Sequence, residues 1–172
     1  MTDDTRPAAR GPVLAGADAL RRFFAGLVEN TFQADLGVAD PHLTDYLGDL
    51  LVRFTPAAAS AGPPDFAAFG GLWDRPGGPR HAGDVALFWA GLYPRRLARA
   101  AARGESVGPA GVSALGRAAY RRAAGAGDGD DGCGGDRGDG RPVLLRLADQ
   151  FDLCAAGLGR VRRCWEGDTP AA

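Results

Sequence analysis

The chain has 172 residues, 45% of them hydrophobic, and a formal net charge of −1. That length and apolar content suffice for one domain with a sizeable core, and the near-zero charge gives the molecule no global field that selects nucleic acid or cations. The longest apolar run falls far short of the roughly 20 residues a membrane-spanning helix needs.

All 20 basic residues are Arg, Lys and Ile are absent, and 27 Gly accompany a large Ala content. This composition reads as a GC-rich coding bias rather than as an arginine-specific function. Asp3 and Asp4 stand where a signal peptide needs positive charge, and no apolar stretch follows, so a cytoplasmic location is expected. Cys154 and Cys164 fall on one predicted helix about 15 Å apart at 1.5 Å per residue, too far for a disulfide. With Cys133 in a Gly/Asp-rich stretch, the three thiols form neither a disulfide framework nor a zinc site.

Residues 1–16 are expected to be a flexible tail. A first helix is predicted over Ala17–Leu36, with Leu20, Phe23, Phe24, Leu27, Val28 and Phe32 at helical spacing and Gly37 as the residue that ends it. Asp40-Pro41 reads as N-cap plus first helical residue. The second helix, Pro41–Phe54, gathers Leu43, Tyr46, Leu47, Leu50, Leu51 and Phe54 on one face and forms an antiparallel hairpin with the first. Residues Thr55–Arg80 are rich in Pro, Gly and Ala, with a short helical turn around Asp65–Trp73 pinning the connection to the core.

The run from Val85 to Tyr93 has no charged residue and is apolar all round, which predicts a core helix packed on every side. Asp84 is read as its N-cap. Pro94 predicts a kink or two helices in series, the second ending at Gly104. The next helix spans about Pro109–Ala124 with small apolar residues (Ala110, Val112, Ala114, Leu115, Ala118, Ala119). Gly125–Gly140 is expected to be a flexible loop. In Pro142–Trp165 the positions Leu144, Leu147, Phe151, Cys154, Leu158, Val161 and Trp165 step by three and four, a heptad-like seam that packs within the bundle or between chains. The expectation is an all-α, single-domain helical bundle over 17–165, of five main helices plus a short one, with tails at 1–16 and 166–172 and a loop at 125–140.

Gly83-Asp84, Ala86-Leu87-Phe88, Gly91 and Tyr93-Pro94, followed by Ala118-Ala119-Tyr120, resemble a family of uncharacterised bacterial all-helical proteins. Its members carry a Gly-Asp-x-x-Leu-(Phe/Tyr)-x-x-Gly-(Phe/Tyr)-(Phe/Tyr)-Pro-like segment. The resemblance covers about Ala17–Trp165 and implies fold and compartment; the family carries no function to transfer. The chain departs from it in the more basic segment after Pro94 and in the Gly/Asp-rich loop.

No residue set carries a clear chemistry. His42 with Asp45, and His81 with Asp84, have a spacing that metal ligands use, but both His fall at helix starts, where such pairs are commonplace. Asp128-Gly129-Asp130-Asp131-Gly132 fails as a calcium loop: with Gly132 at the glycine position, positions 1 and 3 are Gly127 and Gly129 and position 12 is Gly138. Ser60, Ser106 and Ser113 lie outside any nucleophile elbow, and acidic neighbours make Cys133 a poor nucleophile. No catalytic residue, metal site or cofactor is expected. The reading is a non-catalytic binding or assembly module whose partner is another protein or a second copy. Its interaction surface is drawn from Trp73, Tyr93, Trp165, Arg95, Arg96 and Arg99. The alternative is a nucleic-acid-associated protein in which Arg95, Arg96, Arg99, Arg103, Arg117, Arg121 and Arg122 converge on one face and offer it to phosphates, extended by Arg160, Arg162 and Arg163; enzyme or metal protein is a remote third reading, and no membrane contact is expected.

Overall fold

The computed structural model describes residues 17–61, 71, 77–125 and 140–166. Among them the secondary structure is helical throughout: α1 (Ala17–Asn30), a π-helical turn (Thr31–Asp35), α2 (Pro41–Ala61), α3 (Gly78–Leu92), α4 (Pro94–Ala102), α5 (Gly108–Gly125), α6 (Gly140–Asp149) and α7 (Phe151–Glu166). The all-α class is as expected; the count is not. Seven α-helices replace five and a short one, because Pro94 and Gln150 each divide a segment. The tail 1–16, residues 126–139 of the expected loop, residues 167–172 and the predicted turn at 65–73, apart from Gly71, lie outside the described residues.

α3 has the burial its composition demands. Every residue from Ala82 to Phe88 is buried, as are Gly91 and Leu92, and the helix packs against α2, α4, α5 and α7. Each Leu or Phe buried this way contributes about 1.5–3 kcal/mol. One expectation here is corrected. The helix begins at Gly78, with Pro79 in its first turn, so Asp84 lies in its second turn and is not an N-cap. Pro at the first helical positions is well tolerated, because its missing N–H has no intrahelical partner there.

α1 and α2 form the expected hairpin. Gly37 closes the first segment with φ of 65°, and the Val38 N–H bonds back to the Phe32 carbonyl at 2.9 Å. Asp40 caps α2 as predicted, its Oδ1 accepting the Leu43 N–H at 3.3 Å. The predicted α2 face is buried at Leu43, Leu47, Leu50, Leu51 and Phe54. The last stretch breaks formally at Gln150, yet its hydrogen-bond ladder continues, Gln150 N to Arg146 O at 2.8 Å and Cys154 N to Gln150 O at 2.9 Å. Leu144, Leu147, Phe151, Cys154, Leu158 and Val161 are all buried, so the heptad-like seam packs inside the chain.

α5 departs from its predicted face. Ala110, Ala114 and Ala118 are exposed, while Gly108, Val112, Gly116, Ala119, Tyr120, Ala123 and Ala124 are buried. Alanine gains little from facing either way, so a pattern built on Ala carries little directional information. No described helix is long and apolar enough to cross a membrane.

Candidate functional site

Two polar groupings stand out, one inside the bundle and one on its surface. The inner one is centred on Asp84, the one charged side chain buried among the described residues. Its Oδ1 accepts the Tyr46 hydroxyl at 2.6 Å and the Tyr120 hydroxyl at 2.9 Å. The Arg53 Nη1 stands 3.1 Å from Oδ2, close enough to pair the charges but without hydrogen-bond alignment, since Oδ2 has no such bond among the described residues. Arg80 Nε donates to the Tyr46 hydroxyl at 3.2 Å, and the guanidinium carbons of Arg80 and Arg53 lie 5.2 and 5.7 Å from the Tyr46 ring centre.

The sequence makes this arrangement possible at Gly83. A Cβ there would stand 2.7 Å from two carbons of the Tyr120 ring; without one, the ring lies against α3 and its hydroxyl reaches the next residue, Asp84. Thus the two segments of the motif resemblance, Gly83-Asp84 and Ala118-Ala119-Tyr120, meet in the core. Burial first, and the Asp84 charge second, push both the Tyr46 and the Tyr120 phenol above the usual range. Both therefore remain protonated donors, and the group ties α2, α3 and α5 together through one carboxylate.

A pH dependence follows. The folded state retains both phenolic protons above pH 10.0, the ordinary phenol value, while the unfolded chain releases them. Stability from this source is complete below about pH 10 and declines as the pH rises beyond it. Denaturant midpoints measured on either side of that pH are expected to show the loss, and Tyr120→Phe is expected to reduce it; an unchanged drop in that variant would assign the effect to other groups.

The outer grouping is built at the joint between α3 and α4. Pro94 cannot donate the N–H that would continue α3, and it restricts the residue before it. Tyr93 accordingly leaves the helical region, with φ −127° and ψ 40°, and serves both helices. Its N–H bonds to the Trp89 carbonyl at 3.0 Å, and its own carbonyl accepts the N–H groups of Arg96 and Leu97 at 3.0 and 3.1 Å. The ring packs on Phe88 and Trp89, with centroids 5.7 and 5.5 Å away. The guanidinium carbons of Arg162 and Arg96 lie 5.0 and 5.5 Å from its centre. Arg162 is itself held, donating from Nη1 to the Leu92 carbonyl and from Nε to Glu166.

The second of two helices in series carries its arginines in an unusual place. Arg95 and Arg96 fall in the first turn of α4, which holds no acidic residue. A helix N-terminus is the positive end of the dipole, so each cation there costs about 0.3–1 kcal/mol. The dipole accounts for basic residues near helix C-termini elsewhere in the chain; it counts against these two. Arg95, Arg96 and Arg99 are exposed, and none pairs with an acid among the described residues.

Of the other residues singled out by sequence, Trp73 lies outside the described residues. Trp165 is 43% exposed and packs edge-to-face with Phe24 of α1, centroids 5.2 Å apart, so it does not join the Tyr93 group. His81 stacks on Phe54 at 5.9 Å, while Asp84 turns inward; the His81–Asp84 pair does not form. Among the described residues no group of three or more His, Cys, Asp and Glu could hold a metal ion. Cys154 and Cys164 are unpaired, and burial, with a smaller contribution from the Asp40 charge, pushes the Cys154 thiol up to about 12.

Sequence reasoning set Tyr46 on the inner face of α2 and Arg162 at the edge of an arginine patch without giving either its partner, and it missed Arg53 and Arg80. Two signals were available. Asp84 is a lone charge next to an otherwise apolar run, and Tyr46 and Tyr120 lie on helices at positions where a buried hydroxyl requires a partner.

No known protein family, curated protein or solved structure matches the chain.

Proposed function

We propose that the protein is a non-catalytic helical binding module of the cytoplasm, and that its working surface is the outer face of α4 with Tyr93 and Arg162. The observation that carries this reading is the placement of Arg95 and Arg96. They break a local electrostatic rule on a helix whose orientation is fixed by Pro94, Tyr93 and Arg162, and no described acid compensates them. Departures of this kind, with no local gain in stability, concentrate where a surface is used. The Asp84 group supports the non-catalytic half. Both its phenols and its charge are spent on holding three helices, a structural use of the only described buried charge. The unpaired Cys154 and Cys164 suit a reducing compartment.

The reading has a direct test. A photo-crosslinking residue at position 99 is expected to trap a discrete protein adduct in the source cell, whereas the same residue in place of the exposed Arg22 of α1 traps none. Equal trapping at both positions, or none at either, would overturn it.

A further inference from the structure

We propose that the partner seated on α4 is a short acidic polypeptide segment, whose carboxylates are gripped by Arg95, Arg96 and Arg99; this rests on the binding-module reading above. At 3.6 residues per turn, these three positions fall within an arc of about 100° around α4. Leu97, the buried residue of this helix, lies on the opposite side. The arc is a single outward stripe. α4 has nine residues, so the helix is about 14 Å long and its stripe from Arg95 to Arg99 rises about 6 Å.

The ends of the stripe are closed by ion pairs. Beyond α4, Glu105 pairs with Arg103 through two hydrogen bonds of 2.7 Å. At the Tyr93 end, Glu166 pairs with Arg162 at 2.9 Å. A polyanion running past either end meets an ion pair rather than a further free cation, and the whole chain carries a net charge of −1. Nucleic acid is long and uniformly charged, and its affinity grows with the number of phosphates neutralised in a row. A stripe this short between two neutral ion pairs does not favour it. Nor is Tyr93 open for base stacking, the other resource of single-strand binders, because two guanidinium groups already lie over its ring.

A few carboxylates on a short segment match what remains. A guanidinium presents two parallel N–H groups to a carboxylate, a fork that an ammonium lacks. The stripe is also ready before the partner arrives. Pro94 sets the angle of α4, Tyr93 joins it to the core helix, and Leu97 anchors its inner side, so little ordering is required on binding.

The test uses the full chain and a short fluorescent peptide of alternating Asp and Glu, read by anisotropy at low and high salt. Binding that weakens with salt is expected. The triple variant Arg95→Gln, Arg96→Gln, Arg99→Gln is expected to lose about tenfold in affinity, the sum of three modest exposed pairs. Arg22→Gln with Arg141→Gln, which removes two exposed arginines elsewhere, is expected to leave binding unchanged. Replacing the same three α4 residues by Lys retains the charge and removes the fork, and a severalfold loss is expected. Unchanged binding in the Lys variant, an equal loss in the Arg22/Arg141 variant, or tighter binding of an oligothymidylate of similar charge would each overturn the proposal. If the peptide fails to bind while position 99 still crosslinks to a protein in the cell, the acidic-segment inference falls and the binding-module reading stands. If both fail, both fall.

Discussion

Replacing Asp84 by Ala is expected to reduce folding stability by about 3–5 kcal/mol, the range observed when one partner of a buried charged group is removed. Three losses act together. The Tyr120 hydroxyl, fully buried, loses its acceptor, and an unsatisfied buried hydroxyl costs about 1–3 kcal/mol. The Tyr46 hydroxyl loses the same acceptor and is left facing Arg80, which only donates. Arg53 loses its charge partner, a smaller effect because its side chain is 45% exposed and water screens it. The substitution also leaves a space next to Tyr120. Asp84→Asn separates these contributions. The amide oxygen can still accept both phenols, so the expected cost is smaller, about 1–2 kcal/mol. Urea denaturation of the three proteins is the measurement. Because Tyr120→Phe removes one of the same hydrogen bonds, the Asp84→Ala/Tyr120→Phe double variant is expected to cost less than the two single variants combined. A cost below about 1 kcal/mol for Asp84→Ala would mean that the carboxylate does not hold the three helices.

The contrast between Asp84 and its surroundings shows how far the sequence could be read. Helix existence was legible, because Leu, Phe and Val at steps of three and four leave one solution for α1, α2 and the α6–α7 path. The role of Pro94 was legible too, since the loss of one N–H acts locally. The start of α3 was not. Gly77-Gly78-Pro79 reads as a turn on propensity, yet a Pro within the first helical turn costs nothing there, and burial of Ala82 and Gly83 favours extending the helix backwards. Moving that boundary moved Asp84 from a cap to the core and hid its partners, which come from positions 36 and 38 residues away in the chain. No periodicity within one helix encodes such a pairing. The arginines of α4 were named from the sequence, but the conflict of Arg95 and Arg96 with the helix dipole was not legible there. In a chain whose every base is Arg, composition masks the few that sit against the helix dipole, and only the helix boundary reveals them.

Glycine was masked in the same way, and it leads to a second large effect. Gly83, Gly91, Gly116 and Gly157 lie within helices, where Gly is about 1 kcal/mol less favourable than Ala. Each faces a large side chain from another helix or turn: Tyr120, Leu158, Phe151 and Phe32 respectively. Gly157→Ala should gain that 1 kcal/mol from propensity and lose more from packing. A Cβ at 157 would lie 2.5 Å from Phe32 Cε2, a separation that real contacts do not reach. Phe32 has no exposed surface, and it sits in the π-helical turn Thr31–Asp35, whose wider spacing of hydrogen bonds sets the ring on α7. The ring therefore cannot swing aside without displacing its neighbours. The expected net cost of Gly157→Ala is about 1–3 kcal/mol, whereas Gly26→Ala, at a position with open space around it, is expected to be neutral or stabilising. Thermal denaturation of the two variants decides the sign. Phe32→Leu alone is expected to destabilise by leaving a void, but combined with Gly157→Ala it is expected to recover part of that loss, since the methyl group then occupies space the ring has vacated. Strict additivity of the two substitutions would mean that the ring and the glycine are not in contact, and that the π-helical turn does not serve to seat Phe32 on α7.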